Sequence, residues 1–302
     1  MIERIQIRLK DTPRMSGFAS FTRGLAVVAA LLGGAVATSS AQAADSHAAP
    51  VIERQPWSFA GPFGTYDQAQ LRRGFQVYSQ VCSACHPMNL VSYRNLSEPG
   101  GLGYSEAEVK AFAAEATAKD GTLDADGKLK ERKARPSDHF PSPYVNADAA
   151  RELHNGAVPP DFSVLAKARS YSRGFPWFLT DALTQYQEHG PDYIVALLTG
   201  YQEEPPHGVT LLPGQYYNHV MPGNVISMAP PLSDGAVDYT DPTVPKTLKQ
   251  YATDVSAFMM WAAEPKLEQR KSTGLKVMLF LIILTFLLYL TKKKIWSSVY
   301  EH

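Results

Sequence analysis

Cys82-Ser83-Ala84-Cys85-His86 contains the only two cysteines in 302 residues, and a histidine follows the second directly. This is the C-x-x-C-H spacing of covalent haem attachment. Two thiols one helical turn apart can each form a thioether to a vinyl group on one porphyrin edge. The imidazole of the next residue then lies under the iron, so His86 is the expected proximal ligand. Two other chemistries use part of the pattern. A thioredoxin-like dithiol belongs near a βαβ unit, at a helix N-terminus that lowers a thiol pKa, whereas Tyr66 to Val81 reads as a helix leading into the motif. A structural zinc site needs two more ligands at comparable spacing, and no further cysteine exists to supply them.

A haem held by His86 alone would bind small molecules; an electron carrier generally caps the other face. Met88, Met221, Met228, Met259, Met260 and several histidines are candidates. Met88 is too close to His86 to reach the opposite face, so the ligand must come from a distant segment. A thioether favours ferrous iron and raises the potential, although a methionine in a core is more often a gap-filler. Met228 is distinguished by Ala229-Pro230-Pro231, which stiffens the loop behind it. Met221-Pro222-Gly223 has a weaker claim of the same kind.

The elements that must position these residues read as mainly helical. A helix is expected from Thr65, with Gln68 completing a capping box. Leu71, Phe75, Tyr78 and Val81 form its buried face, and Arg73, Gln76 and Gln80 face outward. Ser105 with Glu108 opens a second helix through Val109 and Phe112 that stops near Gly121. Asp124-Ala-Asp126-Gly127 fits a solvated turn better than a calcium loop, because Thr122 and Lys133 occupy the loop's first and last positions. Pro136, Pro141 and Pro143 mark a stiff connection. A short helix from Ala147 to Leu153 should end at Asn155-Gly156. Another follows Pro159-Pro160-Asp161, with Val164, Leu165 and Ala168 inward. Trp177 to Gln187 is expected to be helical. So is a stretch with Pro191 near its first turn and Gly200 past its end, where Ile194, Val195, Leu197 and Leu198 suggest deep burial. Strand signals are confined to short pieces between Val209 and Tyr217.

Both ends of the chain are basic. Residues 1–43 carry five Lys/Arg and two Asp/Glu, and residues 265–302 carry seven and two; 44–264 therefore keeps 17 basic and 25 acidic residues, a formal −8. The basic N-terminus, the apolar run Leu25 to Ala37 and Ala41-Gln42-Ala43 have the form of a secretory signal peptide cleaved after Ala43. Residues 44–264 then form the haem domain, and 265–302 a membrane anchor and tail. Thr273 to Thr291 contains one charge, Lys276, and at about 1.5 Å per residue spans roughly 28 Å, close to the hydrocarbon thickness of about 30 Å. Lys292-Lys293-Lys294 and Trp296 follow as a cytoplasmic anchor with an interfacial aromatic, and Lys276 can snorkel outward.

Leu71-Arg-Arg-Gly-Phe-Gln-Val-Tyr-Ser-Gln-Val-Cys82, Asn155-Gly-Ala-Val-Pro-Pro-Asp-Phe-Ser163, Leu198-Thr-Gly-Tyr201 and Pro222-Gly-Asn-Val-Ile-Ser-Met-Ala-Pro-Pro231 resemble the cytochrome c1 family, the haem-bearing subunits of cytochrome bc1 complexes (ubiquinol-cytochrome c reductases). The resemblance runs from about Trp57 to the C-terminal anchor. It implies a mainly α, cytochrome c-like fold with long loop insertions and one C-terminal transmembrane helix, holding one covalent haem c. It also implies Met228 as the distal ligand, with Arg169 and Tyr193 as partners of the haem propionates. Implied partners are cytochrome b and a Rieske iron-sulfur protein in one membrane complex, with a c-type cytochrome as acceptor and no nucleic acid. The implied location is a bacterial cytoplasmic membrane, single-pass, with the haem domain on the periplasmic side. No catalytic acid, base or nucleophile is required, because the iron cycles between two charge states.

Two departures stand out. With both cysteines committed to thioethers, the extra disulfide of some bacterial members is impossible here. Ser170 to Pro191 is longer than in mitochondrial members, which points to a bacterial protein. Two other readings compete: another membrane-anchored monohaem cytochrome, such as an oxidase subunit, and a peroxidase or gas-binding protein with an open sixth site. The acidic body would steer a basic cytochrome over about 8 Å, the Debye length at physiological salt. Glu115, Asp120, Asp124 and Asp126 are candidate docking groups, unless Lys128, Lys130, Arg132 and Lys133 compensate them.

Overall fold

A computed structural model describes residues 52–171 and 173–297; the expected signal segment, 1–43, lies outside them. Helix α1, Gln68–Gln80, is opened by Asp67, whose carboxylate accepts from the amides of Ala69 and Gln70 at 2.9 and 3.3 Å. The expected start at Thr65 is corrected. The Thr65 amide is spent on the Ser58 carbonyl at 3.1 Å, and a carboxylate at the positive end of a helix is a strong cap. Leu71, Phe75, Val77 and Tyr78 are buried on the inner face as the periodicity requires, while Val81 is only partly covered.

The buried face of α1 packs on a helix that the sequence reading passed over, Leu248–Ala263, here α7. Eleven of its sixteen residues are buried, among them Tyr251, Phe258, Met259, Met260 and Trp261. A helix buried on nearly all sides lacks the polar stripe that makes a helix visible in sequence. The two helices approach at Gly74, where an added Cβ would lie inside the Asp254 carbonyl oxygen and 2.6 Å from the Cβ of Phe258. Asp254 itself is fully buried. It accepts from Arg73 through Nε at 2.9 Å and Nη2 at 3.1 Å, from the Tyr239 hydroxyl at 2.9 Å and from the Gln250 amide at 3.0 Å. Arg73, expected to face outward, is thus drawn inward, since an unpaired carboxylate at that depth would cost several kcal/mol.

Helix α2, Glu106–Glu115, has the Ser105/Glu108 capping box as expected but ends before Gly121. Strands β1, Thr117–Leu123, and β2, Leu129–Lys133, follow as an antiparallel hairpin. The hairpin is largely exposed, so it carries no buried alternation that would announce it. Its turn is the solvated one expected: Asp124 Oδ1 accepts from the amides of Asp126 and Lys128, both at 2.9 Å.

Helix α3, Ala147–Leu153, is followed by Asn155 and Gly156 in the left-handed region, φ 51° and 87°. Helix α4 is one turn, Leu165–Ala168, and buries Ala166, whereas Val164 and Ala168 are exposed, contrary to expectation. Helix α5, Trp177–Thr184, stops short of Gln187. Helix α6, His189–Thr199, ends at Gly200 and buries Ile194 and Val195; Leu197 and Leu198 are only half-covered. Both α4 and α6 pack on α7. A two-residue pair, β3 at Tyr216–Tyr217 and β4 at Val225–Ile226, forms a second hairpin, whose second strand lies beyond the expected interval.

Helix α8, Leu267–Trp296, is thirty residues, about 45 Å, and begins before the expected Thr273. It is long and apolar enough to cross a membrane. The fold is mainly helical, and its core is the contact of α1 with α7.

The Gly74 contact gives a prediction of unusual sign. Alanine in a helix interior ordinarily stabilises relative to glycine by roughly 0.5–1 kcal/mol. Here Gly74→Ala should instead destabilise by about 1–3 kcal/mol or more through overpacking. Denaturant unfolding followed by far-ultraviolet circular dichroism checks it, and a raised midpoint would refute the close approach.

Candidate haem-attachment site

The end of α1 delivers the motif. Cys82–Ala84 form a tight 3₁₀ turn in which the amides of Cys85 and His86 both donate to the Cys82 carbonyl, at 3.1 and 2.8 Å. Both thiols are half-buried and free. Burial, reinforced by the neighbouring Cys85, pushes the Cys82 thiol up to about 12. A redox dithiol needs the opposite shift, so this turn holds neutral thiols rather than a thiolate nucleophile.

His86 is buried, and its Nδ1 lies 2.8 Å from the carbonyl oxygen of Pro160. A carbonyl can only accept, so Nδ1 carries the proton and Nε2 keeps a lone pair. Nε2 has no hydrogen-bond partner among the described residues. Burial lowers the pKa of His86, opposed by the Pro160 bond, so the ring is in the neutral form that ligates metals. Phe162 stacks on it with centroids 4.2 Å apart at 27°. The Tyr78 hydroxyl donates to the His86 carbonyl at 3.3 Å.

The residues that hold this imidazole come from 74 positions downstream. The Phe162 amide donates to the Pro87 carbonyl at 2.8 Å. Asp161 accepts from the Asn89 amide at 3.0 Å and the Ser163 amide at 2.6 Å, and the Ser163 hydroxyl accepts from the Leu90 amide at 3.0 Å. The sequence marks Pro159-Pro160-Asp161 only as the start of a helix, and Pro160–Ser163 again within a stretch of family resemblance; neither gives these residues a part in holding His86. Tyr144 and His154 were also missed. Their side chains meet at 2.5 Å, and burial together with the Cys85 thiol raises the pKa of the Tyr144 phenol.

Met228 is half-buried just beyond β4, and its carbonyl accepts from the Tyr201 hydroxyl at 3.1 Å. Its loop is tied to the end of α6. Fully buried Asn218 donates to the Leu197 carbonyl at 2.8 Å and accepts from the amides of Val220 and Met221 at 3.0 and 3.2 Å. His219 bonds the Gly200 carbonyl through its amide and through Nδ1. Met221 sits in the same loop, where its sulfur accepts from the Tyr193 hydroxyl at 3.8 Å. Met88, Met259 and Met260 are core residues, at most 2% exposed. The methionine candidates therefore reduce to one loop, in which the Met221 sulfur already has a donor.

Arg169 and Tyr193 lie within electrostatic reach of each other. Burial raises the Tyr193 phenol and the Arg169 charge opposes that rise. Arg169 is exposed at the end of α4 and has no ion-pair partner among the described residues. Two thiols on one turn, a neutral imidazole with a free Nε2, a thioether on a braced loop, and an unpaired guanidinium beside a phenol suit the thioethers, axial ligands and propionates of one haem c. The acidic hairpin is less open than its sequence suggests: Arg132 lies 3.7 Å from Asp120 and 2.5 Å from Asp138, and Asp124 is spent on its turn.

The Cytochrome C1 family model matches residues 57–299. Cytochrome c1 of Blastochloris viridis is 48% identical over 277 residues, covering 92% of this chain and 96% of that protein. The mitochondrial cytochrome c1-2, a heme protein, of Solanum tuberosum is 42% identical over 249 residues, 82% of this chain and 85% of that protein. Cytochrome b/c1 of Bradyrhizobium diazoefficiens is 52% identical over 242 residues, 80% of this chain, and the chain spans only 35% of that protein's length. A match that begins at Trp57 and takes in every helix described above places the chain in the cytochrome c1 family.

Proposed function

We propose that this chain is the haem-bearing electron-transfer subunit of a cytochrome bc1 complex. The observation that carries the reading is a neutral imidazole, held through Nδ1 with Nε2 free, directly behind two thiols on one turn. Cys82 and Cys85 form the thioethers, His86 and Met228 ligate the iron, and Arg169 and Tyr193 hold the propionates. When bound, the haem supplies a one-electron ferrous–ferric couple. The Pro160 carbonyl raises the basicity of the His86 imidazole, the Met228 thioether favours the ferrous state, and the Tyr201 hydroxyl holds the backbone that carries it. No proton is moved by a side chain, in keeping with a carrier. The donor is a Rieske iron-sulfur protein, the acceptor a c-type cytochrome and the membrane neighbour a cytochrome b. The names of relatives from Blastochloris viridis and Bradyrhizobium diazoefficiens support this assignment.

Residues 44–264 form the haem domain on the periplasmic face of a bacterial cytoplasmic membrane, exported by a signal peptide over 1–43. Residues 265–302 form the anchor and tail. Support comes from the apolar length of α8 and from Lys292-Lys293-Lys294 at its far end.

Three outcomes are expected. Replacing both Cys82 and Cys85 with serine should abolish the haem stain that survives denaturing electrophoresis, and a persistent stain would end the attachment reading. Met228→Leu should lower the reduction potential by a sizeable part of the roughly 0.8 V that axial ligands span and should let the reduced protein bind carbon monoxide. Met221→Leu should do neither, and the reverse pattern would transfer the ligand role to Met221. Purification through a tag on this chain should bring down a b-type cytochrome; an oxidase core in its place would favour the competing monohaem reading.

A further inference from the structure

Residues 174–187 contain one charged side chain, Asp181, and α5 turns it inward. Asp181 is 7% exposed, pairs with Arg54, accepts from Arg173 at 2.9 Å and has His189 Nε2 at 3.4 Å. The outer surface of the helix is left apolar. Phe175, Trp177, Phe178, Leu179 and Leu183 are each 47–85% exposed. The hydroxyls of Thr180 and Thr184 do not relieve this, because each donates back to its own helix, to the carbonyls of Trp177 and Thr180, both at 2.7 Å. A helix facing bulk water would carry charge there.

The position of α5 says what covers it. The Thr184 carbonyl lies in ordinary contact, 3.9 Å, with the place where a Cβ on Gly61 would be, so the end of α5 rests on the loop around Gly61. That loop is fastened to the first turns of α8: Lys271 donates to the carbonyls of Phe59 and Gly64 at 2.6 and 3.3 Å, and Glu268 accepts from the Tyr66 amide at 2.9 Å. Lys271 precedes the apolar stretch beginning at Thr273 by two residues, about 3 Å along the axis. Phe63, within the loop, is 76% exposed. The C-terminal end of α5 and Phe63 therefore lie beside the turns of α8 that precede its apolar stretch.

We propose that α5 and Phe63 form an interfacial element that lies on the bilayer beside α8, with Phe175, Trp177, Phe178, Leu179 and Leu183 in the boundary between headgroups and acyl chains. Aromatic and leucine side chains on a short helix parallel to the surface suit that boundary, where Trp is enriched. The interfacial placement rests on the reading that α8 spans the membrane.

The test uses the full haem-loaded chain in nanodiscs of phosphatidylcholine and phosphatidylglycerol. Cys82 and Cys85 are consumed by the haem, so single nitroxide labels can be placed through Phe178→Cys, Leu183→Cys, Asp126→Cys in the hairpin turn and Phe280→Cys in α8. An unchanged haem spectrum certifies each fold. Power saturation should give a ratio of oxygen to nickel-chelate accessibility that is high at 178, 183 and 280 and inverted at 126. Water-like values at 178 and 183 with a lipid-like value at 280 would overturn the interfacial element and leave the span intact. A water-like value at 280 would overturn the span, and this inference with it. If 178 and 183 are water-like in the isolated chain and become shielded only in the assembled complex, the occupant is a neighbouring subunit and the lipid assignment fails.

Discussion

The bond from His86 Nδ1 to the Pro160 carbonyl is the constraint on which the site depends. An imidazole on a loop has a rotatable ring and two tautomers, and either freedom would leave the ligating nitrogen undirected. A backbone carbonyl removes both, because it accepts only from an N–H and its own position is fixed by the chain. Proline supplies that carbonyl with no amide of its own to satisfy, so the segment can lie against His86 without an orphaned donor. Phe162, two residues on, closes the face of the ring, and Asp161 and Ser163 pin the residues that follow His86. A short extended run thus sets tautomer, tilt and burial together.

That bracket works only if α1 arrives at a fixed place, and the α1–α7 contact sees to this. Gly74 lets the backbones approach, and the Arg73–Asp254 pair fixes the register along them. The pair lies deep enough that slipping by one residue would strand a buried carboxylate. Its value is therefore in excluding alternatives more than in net stabilisation, since desolvation offsets much of the Coulomb attraction.

These features were unequally legible in the sequence. Cys82, Cys85 and His86 could be read at once because their chemistry is local: the spacing itself is the reagent. Met228 was set apart from the other methionines only by the stiff Ala229-Pro230-Pro231 behind it until a resemblance singled it out, because a thioether ligand is chemically identical to a core methionine and its distinction lies in the loop that braces it. Met259 and Met260 were open candidates for the same reason, and α7, which buries them, was invisible since a helix surrounded by protein has no polar face. Pro160–Ser163 gave no signal through spacing, as its function depends on contacts 74 residues apart. The hairpin 117–133 failed in the opposite way: with nearly every side chain exposed, nothing imposed a period of two. Arg73 read as an outward residue because charge and position on a helix say nothing of a carboxylate on a helix not yet recognised.

Helix α6 joins the remaining parts. Gly190 in its first turn passes so close to the Ala166 carbonyl that no Cβ fits, which locks α6 to α4, and α4 ends at Arg169. Tyr193 follows one turn along α6, and the carbonyls at the helix end, Leu197 and Gly200, hold Asn218 and His219 of the methionine loop. The proposed propionate partners and the proposed distal ligand therefore ride on one rigid unit, although they span 169 to 228 in sequence. The same unit reaches the anchor: Lys167 of α4 pairs with Glu264, which also accepts from Arg270 in the first turn of α8. Glu264 is mostly covered between α7 and α8, so these ion pairs are less screened than surface ones. The orientation of the haem domain on α8 is thereby fixed by side chains of the same helices that shape the site, with no flexible linker between them.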